Sequence, residues 1–196
     1  MKRKLLVGWG GWGLALLAGG AVWASTVVGL SVEDQARLSR LVVVGEVLNQ
    51  KGIDHPVNGI ETEITLRVTD VLKGSVRRGE TVTFHTRGGE VDGEISEAVG
   101  EAAFKTGERV LVFIESVDGR LYNLGLSMGV WSVHEDASGG MSFTRALRDG
   151  LSIVGEKAVE HGPIGYGDMR SRVLYAGRNP RFDNELLRNR IGGGGE

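Results

Sequence analysis

From Leu41 onward the apolar positions either alternate with polar ones or cluster in short runs, and both patterns belong to strands. The run LVVVGEVLN, Leu41 to Asn49, is nearly continuous and β-branched, which predicts a strand covered on both faces. ERVLVFIE, Glu108 to Glu115, repeats the pattern, with Val110, Val112 and Ile114 on one face and Leu111 and Phe113 on the other. Between them IETEITLRVTDVLKG alternates, so that Thr62, Ile64, Leu66 and Val68 point one way and Glu63, Thr65, Arg67 and Thr69 the other. The phase slips at Asp70, predicting a β-bulge near Thr69 and Asp70 that lets a long strand bend to serve both sides of a small barrel. ETVTFHT alternates again, with Val82 and Phe84 inward and Thr81, Thr83 and His85 facing solvent.

The punctuation between these runs is turn chemistry. KGIDHPVNG, Lys51 to Gly59, combines glycine, proline, aspartate and asparagine and reads as a loop. Asp118-Gly119 is a hairpin signal with RLYNLGL as the return strand, and GVWSVHE, MSFT and GLSIVG supply further short strands. Helical signals are few. Ser31 followed by Glu33 and Asp34 predicts a helix with an N-cap, running to about Arg40. A second is predicted from Asp168 to Ala176, with Met169, Val173 and Leu174 on its apolar side. The final stretch, RNPRFDNELLRNRIGGGGE, is polar and reads as a frayed tail.

The N-terminus changes the picture. Met1-Lys2-Arg3-Lys4 precedes twenty uncharged residues, Leu5 to Ala24, that close on Val22-Trp23-Ala24 and Ser25-Thr26. A basic start, an apolar middle and a small-residue exit predict a signal peptide cleaved between Ala24 and Ser25. The alternative is a retained anchor, since the segment is long enough to span a bilayer, but its six glycines weaken a permanent helix. Residues 1–24 are thus a targeting segment, 25–155 a β-barrel domain, and 156–196 a C-terminal extension. The expected location is exported, periplasmic or secreted, with membrane contact only through the signal segment if it is not cleaved.

Cleavage removes three basic residues and no acid, leaving 20 Lys plus Arg against 25 Asp plus Glu, formally −5. That balance argues against a nucleic-acid partner. Absence of cysteine excludes a disulfide framework, thiol chemistry and lipid attachment through cysteine.

The stretch HTRGGEVDGE, His85 to Glu94, is the most suggestive loop. No Gly-Lys-Ser or Gly-Lys-Thr follows, so it is not a phosphate loop, and no helix follows with dinucleotide spacing. Glu90, Asp92 and Glu94 offer oxygen ligands at alternate positions without the spacing of a calcium loop. Its glycines read first as backbone geometry, and Arg87, Gly88, Gly89, Glu90 and Asp92 as a partner-facing rim. The four histidines are dispersed, and no cofactor or metal site is expected. Gly125-Leu126-Ser127-Met128-Gly129 matches the letters of a hydrolase elbow, but strand-like sequence lies on both sides of it, the wrong context for a Ser127 nucleophile. Tyr122 and Trp131 are aromatics in strands, read as core or half-core with a ligand groove as the alternative.

The order VVVGEV, TEITLRVTDVLKG, ETVTFHTRGG, FKTGERVLVFI and LGLSMGVWSV resembles an exported bacterial family built on V-x-G-x-V, V-x-x-V-L-K-G and G-E-x-V-L-x-F strands. The resemblance covers Leu41 to Val133, through Val71-Leu72-Lys73-Gly74, Gly88-Gly89 and Gly107-Glu108. More distantly the strand order is similar to the OB-type barrel of netrin-like modules and tissue inhibitors of metalloproteinases. Those inhibitors reach a catalytic zinc through a disulfide-held N-terminal cysteine, which this chain lacks, so that chemistry does not carry over. The expectation is a mainly β chain: a small, strongly bent antiparallel OB-like barrel of five or six strands, with a short N-terminal helix and a C-terminal extension covering one side. Its expected function is non-enzymatic binding of an unidentified protein or extracellular ligand. Modulation of an exported metalloprotease is the second hypothesis, and a serine hydrolase the third.

Overall fold

The bulge expected near Thr69 is where the architecture turns. In the computed structural model, which describes residues 25–154 and 159–182, strand β2 (Leu41–His55) pairs antiparallel with β3 (Gly59–Lys73). Val44 faces Asp70 while Gly45 faces Val68, so Thr69 is the extra residue, and its hydroxyl donates to the Val44 carbonyl at 3.2 Å. Before the bulge Ile64, Leu66 and Val68 enter one core; beyond it Leu72 enters another. A one-residue insertion inverts facing because side chains alternate with a period of two.

The doubly apolar runs are adjacent, as their composition predicts. β2 pairs with β7 (Arg109–Val117) from Leu41↔Ile114 to Glu46↔Arg109. Leu41, Val43, Val47, Val110, Val112 and Ile114 fill the barrel interior with Phe84 and Phe104, while Val42, Val44, Leu111 and Phe113 fill the core on the outer face. Full burial of each such side chain is worth roughly 1.5–3 kcal/mol, which is why both faces must be covered.

Five strands close a ring. β4 (Thr81–Arg87) pairs with β3, β8 (Arg120–Asn123) pairs with β7, and a single parallel bridge, His85↔Tyr122, joins β4 to β8. The order β2-β3-β4-β8-β7, returning to β2, is that of an OB-type barrel. Beyond β7 the sheet continues through β9 (Val130–Glu135), β10 (Met141–Arg145) and β12 (Ile164–Gly165). A separate parallel pair joins β1 (Ser25–Val28) to β11 (Leu151–Val154).

Two helices cover the outer core. α1 (Val32–Leu38) is capped by the Ser31 hydroxyl, which accepts the Asp34 N–H at 3.0 Å, and its C-terminal carbonyls Ala36 and Ser39 accept from Lys73 Nζ at 2.6 Å each. Burial pushes the Lys73 ammonium below its ordinary pKa. α2 (Tyr166–Arg178) is longer than its apolar pattern suggested and buries Met169, Val173 and Ala176. Leu174, expected inward, is 45% exposed, since it falls one position past the buried stripe. Arg172 clamps α2 to α1 by a bidentate ion pair with Glu33 at 2.6 and 2.8 Å.

Two local expectations are corrected. Lys51 to His55 are strand, not loop: the ladder runs on from Lys51↔Glu63 to His55↔Gly59, leaving only residues 56–58 as the turn. Gly52 is required because a Cβ there would lie 1.8 Å from the Glu90 carbonyl oxygen. The stretch from His85 to Glu94, read as a loop, also carries structure, since it leads into a hairpin of β5 (Gly89–Val91) and β6 (Glu94–Ser96) turned by Asp92 and Gly93, both with positive φ. Among the described residues no helix is long and apolar enough to cross a membrane; residues 1–24, where a signal segment ending at Ala24 is expected, and the tail from 183 lie outside the described residues.

Candidate functional site

Two hairpin ends stand side by side at one end of the barrel. The β2–β3 turn contributes His55, Val57 and Asn58; the β7–β8 turn, a type I′ turn with Asp118 at φ 49° and Gly119 at φ 82°, contributes Glu115, Val117, Asp118, Arg120 and Tyr122. Between them lies a cleft of about 730 Å³, closed by Arg87 at the end of β4, the segment from Ala98 to Glu101, and Thr26 and Val27 of β1. The lips are aliphatic: Val57 is 84% exposed and Val117 42%.

Beneath the cleft sits a carboxylate that the residue pattern did not single out. Glu61 is fully buried, and its oxygens accept from Asn58 Nδ2 at 2.7 Å, Tyr122 Oη at 2.9 Å and Arg120 Nη2 at 2.8 Å. Burial alone would push its carboxyl up, but the bonds from Asn58 and Tyr122 and the charge of Arg120 hold it below the usual value. The same contact, with burial, raises the Tyr122 hydroxyl pKa. Glu61 therefore ties one hairpin to the other, fixing three cleft side chains at once. His55 Nδ1 adds a local brace by accepting the Asn58 N–H at 3.1 Å.

The remaining charges are unevenly engaged. Glu101 accepts from Asn123 Nδ2 at 2.8 Å and from the N–H groups of Ala102 and Arg87 at 2.9 and 3.2 Å. Glu115 has no hydrogen-bond donor among the described residues; burial raises its pKa, and the Arg87 charge offsets only part of that rise. The Arg87 side chain is exposed and makes no hydrogen bond among the described residues.

The five rim residues do not act as one surface. Arg87 belongs to this cleft, whereas Gly88 and Gly89 turn the chain into the β5–β6 hairpin, where a Cβ would lie 2.6 Å from the Ser96 oxygen and 2.3 Å from Thr62 Oγ1 respectively. Glu90 and Gly89 line a second groove of about 440 Å³ with Lys51, Thr62 and Ile95, and Asp92 occupies the hairpin tip. Among the described residues no three potential ligands gather into a metal site. His85 does not face open solvent as its alternation predicts: its side chain is 13% exposed, and Nδ1 lies 3.1 Å from the Leu121 carbonyl oxygen, across the seam that β8 closes. Ser127 is fully buried in a 3₁₀ turn (Leu126–Gly129), and its hydroxyl accepts the Arg148 N–H at 3.1 Å, so the Gly-x-Ser-x-Gly letters serve backbone geometry there. Trp131 is core, with the Arg145 guanidinium 4.4 Å from its ring centroid; burial pushes the Arg145 pKa down to about 10. Tyr122 is the aromatic that reaches the cleft. No protein-family model matches the chain, and a search of curated proteins likewise finds no match.

Proposed function

We propose that the protein is an exported, non-enzymatic binding module whose ligand enters the cleft between the β2–β3 and β7–β8 turns. The observation that carries this reading is Glu61, a fully buried carboxylate whose three hydrogen bonds aim Asn58, Arg120 and Tyr122 at one cleft. A buried charge is costly unless fully satisfied, and here its satisfaction organises the cleft. The position agrees with the reading, because OB-type barrels bind through the loops joining strands one to two and four to five, which here are these two turns. Of the rim residues, Arg87 contributes directly, while Gly88, Gly89, Glu90 and Asp92 form a neighbouring surface. Export follows from the signal segment, with Ser25 as the mature N-terminus.

Affinity capture from the exported fraction tests this, comparing the processed protein with Val57→Arg, a change at an 84% exposed lip residue that blocks the cleft without touching the core. A species retained by the first and lost by the second is expected; identical capture by both would count against the cleft. N-terminal sequencing of the exported protein should begin at Ser25.

One observation favours the second reading, a modulator of an exported metalloprotease: Thr26 and Val27 wall the cleft, so cleavage after Ala24 would leave a free amino group beside it. Unchanged zinc-protease activity across a wide range of added protein would eliminate it.

A further inference from the structure

Of the polar groups around the cleft, Glu61 and Glu101 are saturated by their neighbours, whereas the Arg87 guanidinium, the Glu115 and Asp118 carboxylates and Arg120 Nε are not, among the described residues. Glu61 and Glu101 each accept three hydrogen bonds. The Arg87 side chain and the Glu115 carboxylate, which feel each other's charge, hold a donor and an acceptor with no hydrogen-bond partner among the described residues. A peptide group carries the complementary pair, one carbonyl acceptor and one N–H donor. The exposed lips Val57 and Val117 line the same cleft and offer aliphatic contact.

Resting on the reading of this cleft as the ligand site, we propose that its occupant is an extended polypeptide segment. A main-chain amide is held between the Arg87 guanidinium and the Glu115 carboxylate, with aliphatic side chains against Val57 and Val117. The cleft volume, about 730 Å³, falls within the roughly 300–1,000 Å³ typical of sites for small ligands, room for a few residues. A sugar is a poorer match, because its apolar ring face needs an open aromatic platform. Tyr122 is the aromatic side chain lining the cleft, its hydroxyl held by Glu61 and its ring 5.7 Å from His85. Single-stranded nucleic acid needs stacking aromatics and net positive charge; three carboxylates (Glu101, Glu115, Asp118) against two guanidiniums (Arg87, Arg120) supply neither.

The test is amide-resolved NMR titration of the ¹⁵N-labelled exported protein with the blocked pentapeptide acetyl-Gly-Val-Ser-Val-Gly-amide, and separately with cellotetraose. Saturable shifts at Val57, Glu115 and Val117 are expected with the peptide at up to about 5 mM, a range that captures weak association. The Arg87→Gln/Glu115→Gln double variant should weaken them about tenfold, as loss of hydrogen bonds to charged groups does. Val57→Ser, at an exposed position, provides a second variant that should also weaken binding while leaving the spectrum dispersed. Saturation by cellotetraose and not by the peptide overturns the polypeptide inference and leaves the cleft as the ligand site. Shifts by neither probe, while Val57→Arg still loses a captured species, overturn the polypeptide chemistry alone. Shifts by neither, with capture unaffected by Val57→Arg, overturn both.

Discussion

Replacing Glu61 with glutamine tests the network on which the cleft depends. The substitution preserves volume but removes the charge and converts one acceptor oxygen into a donor. Because Oε2 faces Arg120 and Oε1 faces Asn58 and Tyr122, either amide orientation sets N–H groups against N–H or O–H donors. Breaking a fully buried ion pair costs about 3–5 kcal/mol, but Arg120 is 34% exposed and can rehydrate. The expected loss is therefore roughly 2–3 kcal/mol, or about 5–10 °C in Tm for a domain of this size. The pH dependence has a definite sign. Since the folded carboxyl titrates below its ordinary value of 4.5, its contribution is present above that pH and disappears as pH falls through the lower, folded pKa. Thermal unfolding of both proteins from pH 7 to pH 3 is the assay, and the gap in Tm should narrow on acidification below about 4.5. A gap under about 0.5 kcal/mol at pH 7, within the range of ordinary surface substitutions, or one constant across the series, would refute the network's role.

Three further outcomes follow from the same geometry. Glu115→Gln should raise stability at pH 7, because the folded carboxyl's raised pKa means burial opposes its charged form; the gain should fade as pH falls through that folded pKa to 4.5, measurable by the same unfolding series. Gly52→Ala forces a methyl group to 1.8 Å from the Glu90 carbonyl, so the β5–β6 hairpin should detach, costing about 1–3 kcal/mol, with hydrogen exchange at Gly89 to Val91 accelerating ahead of β2 and β7. Ser127→Ala should cost about 1–2 kcal/mol by orphaning the Arg148 N–H, seen as a lower denaturant midpoint, without altering retention of the ligand in capture experiments.

Much of the barrel is written locally. The two-sided apolarity of Leu41 to Asn49 and Glu108 to Glu115 can be satisfied only by central, adjacent strands, and these pair. The phase slip at Thr69 and Asp70 is a bulge because side chains alternate strictly, and Ser31 caps its helix through a bond three residues long. Asp118-Gly119 turns as its letters demand. These features depend on neighbours along the chain or on a single face being buried.

The cleft depended on something no local pattern carries. Lys51 to His55 have loop composition, yet become strand because β3 supplies a ladder and β5 approaches Gly52 from the side. His85 looks outward until β8 returns to cover it. Glu61 is one acid in an alternating segment; its burial is affordable only because Arg120 and Tyr122 arrive from 59 and 61 residues away. By itself the sequence determined the central strands, their two-sided burial, the bulge and the Asp118-Gly119 turn, since period and turn chemistry act within a few residues. Ring closure decided that Arg120 and Tyr122 join Asn58 on Glu61, because a buried charge is tolerable only where distant partners complete its hydrogen bonds.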